Sequence, residues 1–218
     1  MLEKVWQTRL DYDLEKQIII VNDGSTDKSA NEISKFCEKN SSAFAIHQPV
    51  NAGKGAAVKI ALQKVNGDII IIQDADFEYD PRDYNKLLQP IIDGHADVVY
   101  GSRFRGSEPH RVLFFFHTIG NKLLTFLSNL FTGLNLTDME TGYKMFRADV
   151  LKQIRLKENR FGFEPEVTAK TSRIKNIRFY EVGIAYYGRT YDDGKKIKWT
   201  DGLHAIWCIL KYNILSRK

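Results

Sequence analysis

Ile69-Ile70-Ile71-Ile72-Gln73-Asp74-Ala75-Asp76 is the stretch that decides the fold. Four consecutive β-branched residues form a strand that is apolar on both faces. Such a strand needs cover above and below, so it belongs in a sheet flanked by helices. In sheets of that kind ligands bind at the carboxyl ends of the strands, and this strand ends in acid. Asp74, Asp76 and Glu78 stand two apart, so in extended chain they project to one side. Converging carboxylates repel one another unless a cation lies among them. A hard divalent ion such as Mg²⁺ or Mn²⁺ takes oxygen ligands and shares them with substrate phosphates. The plain alternative is an acidic loop in which Asp80-Pro81 opens a helix.

The same grammar repeats on either side. Ile18-Ile19-Ile20-Val21 is a second apolar run, closed by the turn residues Asn22-Asp23-Gly24. Ser29 with Glu32 has the spacing of a capping box for the helix that follows. Phe44 to His47 reads as a short strand. Asn51-Ala52-Gly53-Lys54-Gly55 is a Gly-rich loop that sets backbone N–H groups and a lysine at a helix start, which suits an anion. It lacks Walker spacing, so no ATPase is implied. Asp97 to Tyr100 is a strand leading into Gly101-Ser102-Arg103, and Ile177 to Tyr187 reads as one or two more. Two acidic clusters, at 22–27 and 74–78, therefore sit at strand ends. The Asp23 cluster has a simpler reading as turn and helix cap; its functional reading is a contact to a base or ribose.

The bulk numbers agree with a globular domain. The chain has 218 residues, 43% hydrophobic and 27% charged, with a formal net charge of +5. The basic excess is compatible with an anionic partner or with an ordinary solvated surface. Cys37 and Cys208 have no metal-ligand spacing and read as free thiols. No signal peptide and no uninterrupted apolar stretch of about 20 residues is visible. The richest candidate, Val112 to Leu134, is broken by His117, Asn121, Lys122 and Asn129 and reads as one helix or two. Its Phe114-Phe115-Phe116 start, with Arg111 and Lys122, suits either a membrane surface or packing against the sheet.

Taken in order, the motifs resemble family 2 glycosyltransferases of the dolichol-phosphate mannosyltransferase and polyprenyl-phosphate glycosyltransferase branch. The matching stretches are Ile19 to Asp27, Asn51 to Gly55, Gln73 to Pro81 and Gly101-Ser102-Arg103-Phe104. They continue through Thr137-Asp138-Met139-Glu140-Thr141-Gly142-Tyr143-Lys144, Phe163-Glu164-Pro165-Glu166 and Tyr187-Gly188-Arg189-Thr190-Tyr191 with Gly194 to Ile197. The resemblance implies a GT-A-like, Rossmann-related α/β fold with a mostly parallel sheet flanked by helices. It implies one domain over 1–218, with 1–105 binding the nucleotide sugar and 106–218 the acceptor.

By the same resemblance, Asp23, Lys54, Asp74 and Arg103 would bind the donor, a GDP- or UDP-hexose. Asp74, Asp76 and Glu78 would hold Mg²⁺ or Mn²⁺. Asp138 and Glu140 would lie near the sugar and acceptor as the catalytic candidates. Arg189, Lys195 and Lys196 would hold the phosphate of a dolichyl or undecaprenyl acceptor. The expected place of action is the cytoplasmic face of a membrane, peripherally bound, with no nucleic-acid partner. A phosphate acceptor, with its second pKa of about 6, is already a nucleophile near neutrality and needs cations more than a base. Asp138 is then an orienting residue as readily as a base. The alternatives are a saccharide-acceptor transferase and an inactive nucleotide-sugar-binding fragment.

Two departures stand out. Asn22 occupies a position where many relatives have Asp. Met1 to Asp13 reads as the end of the helix that should follow the family's first strand, and that strand is missing from this sequence. The expectation is an incomplete sheet, from a fragment or a late start codon, with backbone groups left exposed beside the gap.

Overall fold

A computed structural model describes residues 1–106, 109, 111, 112, 114–189 and 199–216. In chain order the elements are α1 (Leu2–Gln7), β1 (Ile18–Asp23), α2 (Ser29–Lys39), β2 (Ala43–Gln48), α3 (Lys54–Leu62), β3 (Ile69–Ile72), α4 (Tyr84–Ile92) and β4 (Val98–Ser102). The second half adds α5 (Phe115–Thr132), β5 (Lys144–Arg147), α6 (Ala148–Lys152), α7 (Phe163–Thr171), β6 (Phe179–Gly183), α8 (Trp199–Leu210) and a π-helical turn, Lys211–Leu215.

The strands form two sheets. β1 and β2 pair in parallel, with Ile18 opposite Ala43 and Asp23 opposite Gln48. The other sheet runs β3-β5-β4-β6. Within it β4 and β6 are parallel, while β5 is antiparallel to both β3 and β4. β5 follows directly on the Thr137–Lys144 motif and carries no apolar run of its own that marks it as a strand in the sequence. Val112 to Leu134 resolves into the single helix α5, which ends at Gly133 in the left-handed conformation (φ +73°).

The core lies on both faces of β4. Val98, Tyr100 and Phe146 face a cluster with Phe163, Val167 and Ile209 from α7 and α8. Val99, Tyr143 and Met145 face Leu87 and Leu88 of α4. β1 and β3 differ from the expectation for buried strands: along β1 only Asn22 is fully buried, and along β3 only Ile72. Each has one ladder neighbour rather than two, and a cavity of about 660 Å³ lies between them.

The capping box at Ser29 and Glu32 is not formed. Asp27 does the work instead, its carboxylate accepting the Ser29 N–H at 2.9 Å. The shorter acid two residues earlier reaches the first turn, where the Ser29 side chain first and its N–H second hold the Asp27 carboxyl below its ordinary value. At the 3₁₀ turn Pro81–Asp83, which leads into α4, Asp80 is the cap, accepting the Arg82 N–H at 3.0 Å.

Candidate active site

The carboxyl ends of β1, β3 and β4 deliver Asp23, Asp74 and Arg103 to one side of the molecule. The Gly53 loop ties the first two together. Both Asp23 oxygens accept backbone N–H groups of that loop, from Ala52 and from Gly53, each at 2.7 Å. Gln48 donates to the same carboxylate at 2.9 Å. Gly53 has φ +97°, and a Cβ there would lie 2.5 Å from the Asn159 carbonyl oxygen, so a side chain would break the turn. The loop thereby launches α3 with Lys54 in its first turn.

Lys54 Nζ lies 3.0 Å from Asp74 Oδ2 and 2.9 Å from Glu164 Oε1. Burial alone would lower its pKa, but Asp74 and Glu164 outweigh it and hold the ammonium above its ordinary value. Gly142 allows Asp74 its position, since a Cβ there would come within 2.5 Å of Asp74 Oδ2. Beneath, Gln73 Oε1 accepts the hydroxyls of Tyr84 (2.8 Å) and Tyr143 (2.6 Å). Tyr79 stacks on Tyr143 at 4.7 Å and accepts the Gly142 N–H. These aromatics hold the 73–79 segment against 142–143.

Asp76 and Glu78 face a cation from another part of the chain. Arg189 reaches Asp76 Oδ2 at 2.8 Å and donates its backbone N–H to Glu78 Oε1 at 3.0 Å. Tyr186 donates to the other Glu78 oxygen at 3.2 Å. Burial, then the neighbouring Asp74 and Glu78, push the Asp76 carboxyl up. That mutual repulsion and the all-oxygen donor set fit a hard divalent ion. As the chain stands, a guanidinium answers part of the repulsion. Lys195 and Lys196 lie outside the described residues.

Arg103 and Asp138 form a two-point ion pair, Nε to Oδ2 at 2.7 Å and Nη2 to Oδ1 at 2.8 Å. The Arg103 N–H adds a third bond to Oδ2, and Asn121 of α5 approaches Oδ1 at 3.3 Å. Asp138 is buried and its oxygens are engaged, which suits a residue that orients rather than one that collects a proton. Burial opposes the Arg103 charge, but Asp138 overcomes it and holds the pKa well above the usual arginine value. Glu181 of β6 supports this loop by accepting the N–H groups of Thr137 (2.8 Å) and Asp138 (3.1 Å). Glu140 Oε1 and Glu164 Oε2 are buried without a partner among the described residues. Burial first, then Glu164, raise the Glu140 carboxyl, while burial lowers the Lys144 ammonium nearby.

The structure therefore brings Asp23, Lys54, Asp74, Arg103, Asp138 and Glu140 to one side, and sets Arg189, expected at the acceptor phosphate, against Asp76 and Glu78. It adds Glu164, Lys144, Glu181 and Tyr186, to which sequence reasoning gave no role. Glu164 had a signal in its Phe163-Glu164-Pro165-Glu166 motif, whereas its burial against Lys54 is a tertiary fact. A second group, Glu158, His204 and Cys208, has ligand atoms within 4.8 Å of one another. There Lys211 and Tyr212 already occupy Glu158 Oε1, at 2.8 and 2.7 Å.

Residues 1–155 match the family model described as glycosyl transferase family 2. A dolichyl-phosphate beta-glucosyltransferase of Trichomonas vaginalis is 27% identical over 211 residues, covering 92% of this chain and 62% of that protein. An undecaprenyl-phosphate mannosyltransferase of Micrococcus luteus is 27% identical over 191 residues, covering 83% of this chain and 76% of that protein. The chain spans between 40% and 62% of the length of the first three relatives it matches. Glucosyl-3-phosphoglycerate synthase of Mycobacterium tuberculosis, solved with Mn²⁺, UDP-glucose and glycerol 3-phosphate, superposes with TM-score 0.67 at 19% identity. That match covers 97% of this chain and 75% of that one, and shows a GT-A-like fold. With the model matching well over half of its length, the chain belongs to glycosyl transferase family 2.

Proposed function

We propose that this chain is the catalytic part of an inverting hexosyltransferase that moves a hexose from a GDP- or UDP-sugar to a polyprenyl phosphate at a membrane surface. The observation that carries the acceptor assignment is an apolar stripe on α5. Phe116, Ile119, Leu123, Phe126 and Leu130 follow one another at helical spacing, and all are exposed, from 47% for Ile119 to 83% for Phe116. Trp199, Leu203 and Trp207 of the adjacent α8 are exposed too. Among the described residues no helix is long and apolar enough to cross a membrane. A helix with this face lies in the interface instead. Asn121, on the opposite face of the same helix, reaches Asp138 at 3.3 Å, so α5 connects the apolar stripe to the site.

The two relatives named above support the same acceptor class, dolichyl and undecaprenyl phosphates. In the reaction an acceptor phosphate oxygen bonds to the anomeric carbon as the bond from that carbon to the diphosphate breaks. The electron pair leaves with the nucleoside diphosphate. No proton has to be removed from a phosphate that is already ionised. Lys54 and Arg103 bind the donor diphosphate, and Asp23 meets the base or ribose. Asp138 holds Arg103 in place, and Glu140 offers its unpartnered oxygen to a sugar hydroxyl. Arg189, with Lys195 and Lys196, takes the acceptor phosphate. Asp74, Asp76 and Glu78 would hold Mg²⁺ or Mn²⁺, which supplies charge neutralisation of the leaving diphosphate. Residues 1–105 serve the donor and 106–218 the acceptor, on the cytoplasmic face where nucleotide sugars are found.

The test is transfer of labelled hexose from a panel of nucleotide sugars to polyprenyl phosphate in vesicles, with a soluble saccharide acceptor in parallel. Lipid-linked product that disappears in Asp76→Ala, by at least about 100-fold in kcat/KM, is expected. Label found only in the saccharide overturns the acceptor assignment. Donor binding without transfer to either acceptor overturns the enzyme itself.

A further inference from the structure

The segment 153–162 and α8 meet at a group of side chains to which the proposed reaction gives no role. His204 and Cys208 stand four apart on α8, so they share one face of the helix. Glu158 comes to them from the segment before α7. His204 Nε2 lies 3.8 Å from Cys208 Sγ and 3.7 Å from Glu158 Oε2. A tetrahedral ion with bonds of about 2.0–2.3 Å holds its ligand atoms about 3.4–3.6 Å apart. Both separations come close to that spacing before any ion draws them in.

The surroundings make room for the group and orient it. Gly162 has φ −74° and ψ −5°, a conformation open to any residue, so its backbone does not require glycine. Its neighbours do. A Cβ there would lie 2.7 Å from Cys208 Sγ, 2.9 Å from Glu158 Cγ and 3.0 Å from Glu158 Oε2. The missing side chain leaves space beside the sulfur and the carboxylate. Glu158 Oε1 accepts from Lys211 Nζ at 2.8 Å and from the Tyr212 hydroxyl at 2.7 Å. These bonds already tether Glu158 to the chain after α8, and they leave Oε2 toward His204. A metal-ligating carboxylate is held in the same manner, one oxygen on the ion and the other on fixed donors. Cys208 is fully buried and His204 is exposed, so the group has a closed side and an open one. An ion and a water can enter from the open side.

We propose that Glu158, His204 and Cys208 form a zinc site of one carboxylate oxygen, one imidazole nitrogen and one thiolate, completed by water. The metal–sulfur bond forms as the thiol gives its proton to solvent. The donors choose the metal. Sulfur and nitrogen favour Zn²⁺, whereas the all-oxygen set of Asp74, Asp76 and Glu78 favours Mg²⁺ or Mn²⁺. The site is structural and lies behind the donor loop. The Asn159 carbonyl accepts the Ala56 N–H at 3.1 Å, and Lys59 Nζ donates to the Lys157 carbonyl at 3.1 Å. The segment that carries Glu158 therefore backs the loop and helix that carry Lys54, and an ion at Glu158 pins α8 to it. This inference rests on the ligand geometry and stands whether or not the acceptor assignment above is right.

The test uses the purified chain with Cys37→Ser, which leaves Cys208 as its sole thiol. The chain is stripped of metal and then titrated with Zn²⁺ against a chromophoric chelator, in excess Mg²⁺ to fill the acidic cluster. Co²⁺ serves as the spectroscopic probe. One Zn²⁺ per chain should bind with sub-micromolar affinity, and Co²⁺ should show a thiolate-to-metal charge-transfer band. His204→Ala, at an exposed position, should weaken Zn²⁺ binding by at least about tenfold, and Cys208→Ala should abolish the band. Amide exchange along α8 should slow with Zn²⁺ in the parent and not in His204→Ala. No Zn²⁺ binding, or binding that His204→Ala leaves unchanged, overturns the proposal. A Co²⁺ complex without the sulfur band overturns it as well. Binding lost in Asp76→Ala but kept in His204→Ala assigns the ion to the acidic cluster and overturns it too.

Discussion

β3 and β4 are short apolar strands of one sheet, and their surroundings are opposite. β4 is buried at every position, Val98 through Ser102. β3 consists of isoleucine alone and is fully buried only at Ile72. The difference is not hydrophobicity. β4 has β5 and β6 as ladder neighbours and packed layers on both faces, whereas β3 has β5 alone and opens on the cavity toward β1. Burial of a strand is set by its neighbours, and a sequence pattern reports only the demand for them.

Mutation measures that contrast directly. Phe146→Ala, in the β5 strand beside β4, should cost about 3–5 kcal/mol in chemical denaturation, since a fully buried aromatic is lost from a packed layer. Ile71→Ala, at the cavity beside β1, should cost only roughly 1–2 kcal/mol, because the side chain is already partly in water. Equal costs for the two would break the comparison.

A smaller effect separates the site from its frame. Burial holds a proton on Glu140 in the folded chain that the unfolded chain gives up near about pH 4.3. Native stability therefore falls as pH rises from there through the raised value. Glu140→Gln removes that slope. Its Tm should exceed that of the parent chain at about pH 8 and converge with it near about pH 4. A constant difference at both pH values would mean that the carboxyl is ionised in the folded state.

The smallest change in stability is expected where apolar surface is most exposed. Phe116→Ser together with Phe126→Ser should shift stability by no more than about 0.5 kcal/mol. The same pair should weaken association with vesicles containing polyprenyl phosphate, read by co-sedimentation. α5 and the cavity between β1 and β3 both show apolar surface, but the helix satisfies its own backbone groups and the strand edges do not.

Much of this was legible in the chain. The isoleucine runs, the glycine loop and the acids after each strand announce helices on a sheet with a site at its carboxyl edge. They do so because turn chemistry and β-branching act locally. β5 was not legible, because Lys144–Arg147 is a strand only through pairing between β3 and β4. The cap at Asp27 rather than Ser29 was a choice between adjacent side chains settled by local geometry.

By itself the sequence determined the strand ends, the family and the set of acidic and basic residues from which the site is drawn. Only the tertiary structure decided which of them meet. It locked Asp138 to Arg103, set Glu164 against Lys54 and turned Arg189 onto Asp76 and Glu78. Those outcomes depend on which residues distant in sequence share a buried volume, where ion pairs and unpaired backbone groups carry their largest energies.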